Sequence, residues 1–363
     1  RYNHILVTNS EVFSQIFLRL IRLQFLGGMA FLLTSLSCSL LSAILATTTL
    51  PPTSPHILFI LADDYGWNDI GYHANRSAVG YYNSANPAHA ATTTESAGMM
   101  QTPTLDLLAA EGCKLESYYV QPLCSPTRST IMTGRYASHT GIGPDVLVEN
   151  VPYGTPAREM FLPQYLPHYR RHAIGKWHLG KCDDRYMATY RGFDSYQGYL
   201  DGAQSYWRHA GDYRNSSTLS TSANHTPACS TKAEVDGQYS AALEVAEVDR
   251  IVQAHPKDGT PLFIYLAMHS VHGPTESATG YVPDVNITFP LIVDYQRRVF
   301  AGMVSALDLG VSRVVESYKA AGLWRDTVLV FSTDNGGIGN GNNFPLRGCK
   351  VLNWEVRVRV PAV

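Results

Sequence analysis

Three stretches of the chain run apolar for the length of a strand and then break off at charged, amide or imidazole side chains. Residues 56–64 read HILFILADD, residues 261–274 read PLFIYLAMHSVHGP and residues 327–337 read TVLVFSTDNGG. None alternates apolar with polar, and a continuous run of this length suits a strand covered on both faces, as in a parallel sheet. Helical patterns lie between the runs. In TPTLDLLAAEG, Pro103 suits the first helical position behind Thr102, and Gly112 suits the stop. From Arg297 to Leu323, Phe300, Met303, Val304, Leu307, Val311, Val314, Val315 and Tyr318 recur at helical spacing, with Gly322 near the end. This order of elements predicts an α/β fold, a mostly parallel central sheet flanked by helices.

In open α/β sheets, ligand groups gather beyond the carboxyl ends of the strands. If the three runs are parallel strands of one sheet, Asp63 and Asp64, His269 and His272, and Asp334 and Asn335 meet at one rim. Polar residues follow any strand that ends at the surface, so one such end carries no weight; three together predict a site. Asp63, Asp64, Asp334 and Asn335 offer hard oxygen donors and no thiolate, which suits Ca²⁺ or Mg²⁺ and not Zn²⁺.

Residues 122–134 read PLCSPTRSTIMTG. Ser125 followed by Pro126 predicts a helix N-cap and a first-turn proline, with STIMTG continuing the helix. Cys124 then stands at the helix entrance, where free N–H groups and the dipole favour anions. Arg128, four residues on, faces the same way and offers a fork of donors to an oxyanion. A protein-tyrosine-phosphatase loop needs cysteine and arginine six apart around glycines, and a papain-like cysteine needs another local pattern. Neither fits.

The 363 residues allow one large α/β domain or two ordinary ones. Lys plus Arg is 28 and Asp plus Glu is 30, a net charge of −2, which removes any general electrostatic reason to bind nucleic acid or an anionic membrane. A polyanion would have to meet a local cluster. Residues 1–54 read as an N-terminal extension in which the apolar segment 29–46, MAFLLTSLSCSLLSAILA, suits a secretory signal ending near Ala46. Arg19 and Arg22 precede Met29, so residues 1–28 are either an extended basic region or lie upstream of the true start. Apolar character reaching back to Ile16 keeps a retained membrane anchor open as the alternative. Sequons at Asn75, Asn215, Asn224 and Asn286 agree with a secretory route. The cysteines at 38, 113, 124, 182, 229 and 349 contain no C-x-x-C pair, and Cys124 is the candidate for an unpaired thiol.

The C-x-P-x-R core in PLCSPTR, running through Thr133-Gly134, resembles the signature of the type I sulfatases of the alkaline-phosphatase-like superfamily, closest to the arylsulfatase B (N-acetylgalactosamine-4-sulfatase-like) subgroup. ILADDYGWNDIGYH, TPTLDLLAAEG, GKWHLG, RGFDSYQGYL, FIYLAMHSVHGP, STDNGG and PLRGCK agree in order, covering most of the chain from His56 onward. The resemblance implies a sulfatase catalytic domain over 55–363 and calcium-dependent hydrolysis of a sulfate ester, a sulfated amino sugar of a glycosaminoglycan, in a secreted or lysosomal protein. It implies that Cys124 becomes formylglycine through the formylglycine-generating enzyme, one hydroxyl of the hydrated aldehyde attacking sulfur and the other expelling sulfate. It implies that Asp63, Asp64, Asp334 and Asn335 hold one Ca²⁺ and that Arg128 and Lys176 keep the attacking hydroxyl ionised. It implies further that His178 takes the second proton and that His272 and Lys350 bind sulfate and assist the leaving oxygen. His269 matches no catalytic position. Without the resemblance, GKWHLG reads as a surface turn, His272 as a loop histidine and Lys350 as a solvated charge.

Three features depart from the family pattern. Residues 74–101, rich in Ala, Ser, Thr and Asn without apolar period, read as an inserted surface loop bordering the cleft. Trp354-Glu355 are followed by Val356-Arg357 where the family has paired glycines, which restricts the backbone behind Lys350. The chain closes at Val363 in what reads as a strand, without the family's smaller C-terminal domain, and so suggests a fragment. Two other readings stand beside sulfate hydrolysis: a phosphate or phosphonate ester hydrolase of the same superfamily, and a truncated, inactive protein that binds sulfated glycans.

Overall fold

The computed structural model describes residues 7–8, 54–74, 100–209 apart from 144 and 150, 213–217, and 235–363 apart from 353. The apolar segment 29–46, most of the insertion at 74–101, the sequons at Asn75 and Asn224, and Cys38 and Cys229 lie outside the described residues. Among the described residues no helix is long and apolar enough to cross a membrane.

Strands β1 (Val7–Thr8) and β3 (Tyr118–Tyr119) form a short parallel pair. The main sheet is built from β2 (His56–Ala62), β4 (Arg170–Lys176), β5 (Ser195–Tyr199), β6 (Tyr213–Ser217), β7 (Leu262–Ala267) and β8 (Thr327–Thr333) in the order β6-β5-β4-β7-β2-β8. Every pairing is parallel except that of β6, the antiparallel edge. The three apolar runs are therefore neighbours, with Leu58 opposite both Ile264 and Leu329.

For β2 and β7 the lack of alternation has the expected cause, both faces of the sheet being covered, while β8 ends the strand order and is buried only from Phe331 to Thr333. Leu58, Ile60, Ile264 and Leu266 pack in one core with Val248, Ile251 and Val252 of helix α3 (Ser240–Ala254) and Val304, Leu307 and Val311 of helix α4 (Tyr295–Ala320). The intervening Phe59, Leu61, Phe263 and Tyr265 point the other way, to Ile131 and Met132 of helix α2 (Cys124–Thr133) and to Phe161, Trp177 and Phe193.

Helix α1 (Pro103–Glu111) starts at Thr102 and Pro103 as its sequence predicts, but Thr102 does not cap its own helix. Its hydroxyl accepts from the Gly71 N–H and donates to Asp106, while Asp308 of α4 accepts from the N–H groups of Thr104 and Leu105. The cap is tertiary. Asp294 caps α4 locally, accepting from the Arg297 N–H at 2.7 Å.

Two local expectations are corrected. Helix α2 begins at Cys124 with Leu123 as N-cap, so Pro126 is the third helical residue, where its missing N–H is still one of the unbonded first-turn groups. Ser125 is inside the helix, and its Oγ accepts from the Leu147 N–H at 3.0 Å. GKWHLG is not a surface turn: it continues β4, a strand hidden in the sequence behind Arg170 and Arg171, and Lys176, Trp177 and His178 are buried. At the other end of the chain, Val363 exchanges both backbone hydrogen bonds with Phe331, which lays the last residues along β8.

Ile264 is fully buried in β7, whereas Val328 in β8 is 40% exposed. Ile264→Ala is expected to cost about 2–5 kcal/mol of unfolding free energy in urea titrations, and Val328→Ala less than about 1 kcal/mol.

Candidate active site

The parallel register brings the carboxyl ends of β2, β7 and β8 together, and backbone bonds lock them. Asp63 N–H donates to Ser270 O, Val271 N–H to Asp63 O, and Asp334 N–H to Ala62 O. Asp63, Asp64, Asp334 and Asn335 are all buried at this rim. Asp64 adopts a left-handed backbone (φ 57°), uncommon for a non-glycine residue and held here by the Asp64 N–H donating to Asp334 Oδ1 at 3.3 Å.

Helix α2 points its first turn at the rim. Cys124 Sγ lies 3.0 Å from Lys350 Nζ, 3.6 Å from Asn335 Oδ1 and 3.7 Å from Asp63 Oδ1. One turn further, Arg128 donates to Asp334 Oδ2 through Nε at 3.2 Å and Nη2 at 2.8 Å, reaches Asp63 Oδ2 at 3.2 Å, and donates to the Lys176 carbonyl at 3.1 Å. Lys176, at the end of β4, sets Nζ 2.6 Å from Asp63 Oδ2. Lys350 sets Nζ 2.6 Å from Asp64 Oδ1, which also accepts from Asn335 Nδ2 at 2.6 Å. Lys350 thus reaches the cluster despite the branched and charged residues at 356 and 357. His272 Nε2 stands 3.5 Å from Asp64 Oδ2.

His178 comes to the edge of the cluster without bonding to it. Its Nε2 donates to Leu147 O at 2.8 Å and its Nδ1 has no hydrogen-bond partner, while Gly202 leaves the ring its space: a Cβ there would meet the imidazole at 2.9 Å. His269 lies apart, fully buried and stacked on Tyr206 at 4.0 Å.

The charges shape one another. Burial, then repulsion from Asp334, pushes Asp63 up to about 7 against the pull of Lys176. Asp64 is held below the usual carboxylate range: burial would raise it, and Lys350 and His272 outweigh that. Asp334 is likewise lowered despite burial, Arg128 being the main cause. The Cys124 thiol comes down to about 7, since Lys176, Lys350 and a hydrogen bond with His272 outweigh burial and Asp334. His272 rises to about 9 because Asp63 and Asp64 overcome its burial. His178 falls to about 3, by burial and the nearby Lys176 and Arg128, and is neutral at any physiological pH.

Ligand atoms of Asp63, Asp64, Cys124 and His272 lie within 4.8 Å of one another, and the bonds above tie Asp334 and Asn335 to the same point. Three carboxylates and an amide oxygen suit a hard divalent cation. Arg128, Lys176 and Lys350 face the three carboxylates and His272 adds a further positive charge, so a divalent ion would leave the site positive overall, complementary to an anionic ester.

Sequence reasoning missed the struts behind the site. Asp69 pairs with Arg297 at 2.7 Å and accepts from the Asn342 N–H at 2.8 Å, and Arg297 donates to Asn340 O at 2.6 Å, joining the loop after β2 to the loop after β8. The acid of WND in the YGWND stretch was the available signal. Glu244, deep under the rim, accepts from the His269 N–H at 3.0 Å, and burial raises its carboxyl to about 8. Its place inside the amphipathic α3 gave no sign of this.

The profile of the family described as Sulfatase matches residues 55–363. Arylsulfatase J of Mus musculus is 36% identical over 313 residues, 85% of this chain and 47% of that protein. Arylsulfatase A of Homo sapiens is 26% identical over 333 residues, 85% of this chain and 58% of that protein. The solved structure of Ps i-CgsB in complex with k-i-k-neocarrahexaose superposes with a TM-score of 0.69 at 27% identity, covering 85% of this chain and 65% of that one. The chain spans about half the length of the curated relatives it matches.

Because the folded-state pKa of Glu244 lies above its unfolded value, the folded chain binds the extra proton, and its contribution weakens as pH rises between the two values. Glu244→Gln is therefore expected to unfold at higher urea than the parent chain at about pH 8 and to lose that advantage near about pH 5.

Proposed function

The chain belongs to the sulfatase family, and from that premise we propose that it hydrolyses sulfate monoesters with one Ca²⁺ and a formylglycine made from Cys124 as nucleophile. The observation that carries this is the approach of Cys124, the cysteine of a C-x-P-x-R sequence, to the oxygen atoms of Asp63 and Asn335 and to Lys350. Asp63, Asp64, Asp334 and Asn335 would hold the calcium, which when bound polarises the sulfate oxygens as a Lewis acid. Converting the thiol to a hydrated aldehyde supplies two hydroxyls on one carbon, so that sulfate can be taken up and released at the same residue.

The chain's own residues divide the remaining work. Arg128 and Lys176 concentrate positive charge beside residue 124 and stabilise an ionised oxygen there. His178 is neutral with Nε2 committed to Leu147 O, which leaves Nδ1 to accept a proton. His272 is cationic at neutral pH and only about one-fifth exposed, suited to donate a proton to the leaving oxygen. Lys350 would bind the sulfate group.

The substrate we infer is a sulfated glycan, an amino sugar of a glycosaminoglycan as in the arylsulfatase B subgroup; the neocarrahexaose in the complex of Ps i-CgsB supports a glycan in the cleft. The same reading places the chain in the secretory pathway, secreted or lysosomal, and makes the formylglycine-generating enzyme its processing partner.

In a competent secretory host, the peptide containing residue 124 is expected to carry an aldehyde by mass spectrometry, and Cys124→Ala to lose turnover of an aryl sulfate. An intact thiol in active protein would overturn the nucleophile assignment, and a faster rate on the matching aryl phosphate would favour phosphoester chemistry. Calcium at 100-fold its Kd should add about 2.7 kcal/mol of stability, read as a rise in Tm that Asp334→Ala abolishes.

A further inference from the structure

His272 is carried on the turn after β7, where its N–H donates to His269 O at 3.0 Å and the backbone bonds of Ser270 and Val271 to Asp63 hold one side. A second segment holds it from outside. Tyr206 is fully buried, and its hydroxyl lies 3.1 Å from His269 O and 2.9 Å from His272 O, donating its single hydrogen between the two carbonyls. Its ring is stacked between His269 at 4.0 Å and Tyr239 at 5.1 Å. The flanking residues extend the grip. Glu276 accepts from the Tyr206 N–H at 2.9 Å and from Ser205 Oγ at 3.1 Å, and Trp207 Nε1 donates to Ser277 O at 2.8 Å.

Residues 205–207 thus clasp residues 269–277 at both ends, with His272 inside the clasp. The imidazole itself makes one local bond, Nδ1 to its neighbour Gly273 O at 2.7 Å, which turns Nε2 toward Asp64. Remove the Tyr206 hydroxyl and two carbonyls converging on a buried point lose their shared donor, so the turn has reason to relax. We propose that Tyr206 is a positioning residue, holding His272 Nε2 where it can give its proton to the ester oxygen as the sulfur–oxygen bond breaks. The bonding pair stays on that oxygen, the proton neutralises it, and His272 is left neutral.

This rests on the reading of His272 as the acid, and the test separates the two. Tyr206→Phe deletes the hydroxyl and keeps the stacked ring. Its kcat and KM are measured on 4-nitrophenyl sulfate, whose leaving group needs little protonation, and on a sugar sulfate, whose leaving alkoxide needs a proton. On the sugar sulfate kcat is expected to fall by about 10-fold or more, on the aryl sulfate by less than about 2-fold, with KM nearly unchanged on both. A merely structural role would lower both rates alike, and equal losses or no loss overturn the proposal. Glu276→Gln, which weakens the anchor on the Tyr206 backbone and leaves the hydroxyl, should show the same split at smaller size and decides the matter if Tyr206→Phe fails to fold. His272→Ala reads the premise: if it lacks the leaving-group split while Tyr206→Phe shows it, His272 is not the acid and the role assigned to Tyr206 falls with it.

Discussion

Three buried carboxylates, Asp63, Asp64 and Asp334, stand together at the end of the sheet, and no fold tolerates that without positive charge brought to meet them. Arg128, Lys176 and Lys350 supply it, each from a different part of the chain. Because the partners are distant in sequence, their pairing ties the N-terminal half of α2, the end of β4 and the segment beyond β8 to one point. Removing Arg128 would strand Asp334 in a medium that solvates it poorly, and removing Lys350 would leave Asp64 only His272.

The same constraint explains why the site is poised and not inert. The oxygen donors of Asp63, Asp64 and Asp334 already converge, each with a cation beside it. Where Asp63 and Asp64 outweigh burial, His272 is driven to the protonated form; where burial acts first and Lys176 and Arg128 add to it, His178 is kept neutral. Two histidines close to one cluster are thereby set to opposite proton states by position alone, which is what an acid and a base in one reaction need.

The sheet makes this convergence durable. β7, β2 and β8 are parallel neighbours covered by α3 and α4 on one face and by α2 and the Trp177 cluster on the other, so their ends cannot shift separately. Loops that would otherwise wander are tied by buried polar side chains: Asp69 with Arg297 beneath the loops after β2 and β8, and Tyr206 with Glu276 around His272.

The chain's residue pattern by itself determined the strands β2, β7 and β8, the long helix α4 and the acids at the strand ends, because an unbroken apolar run with a polar stop is stable where a sheet is covered on both faces; that β8 ends the strand order while β2 and β7 lie inside it was not in the pattern. It also carried the C-x-P-x-R motif, whose local spacing survives any fold. It did not determine that Lys176 and His178 are buried, since β4 opens with two arginines and only its neighbours β5 and β7 make it a central strand. Nor did it reveal the start of α2 at Cys124, the cap that Asp308 places on α1, or the clasp of Tyr206. Those depend on side chains meeting across scores of residues, and periodicity along a chain holds no record of contacts made through space.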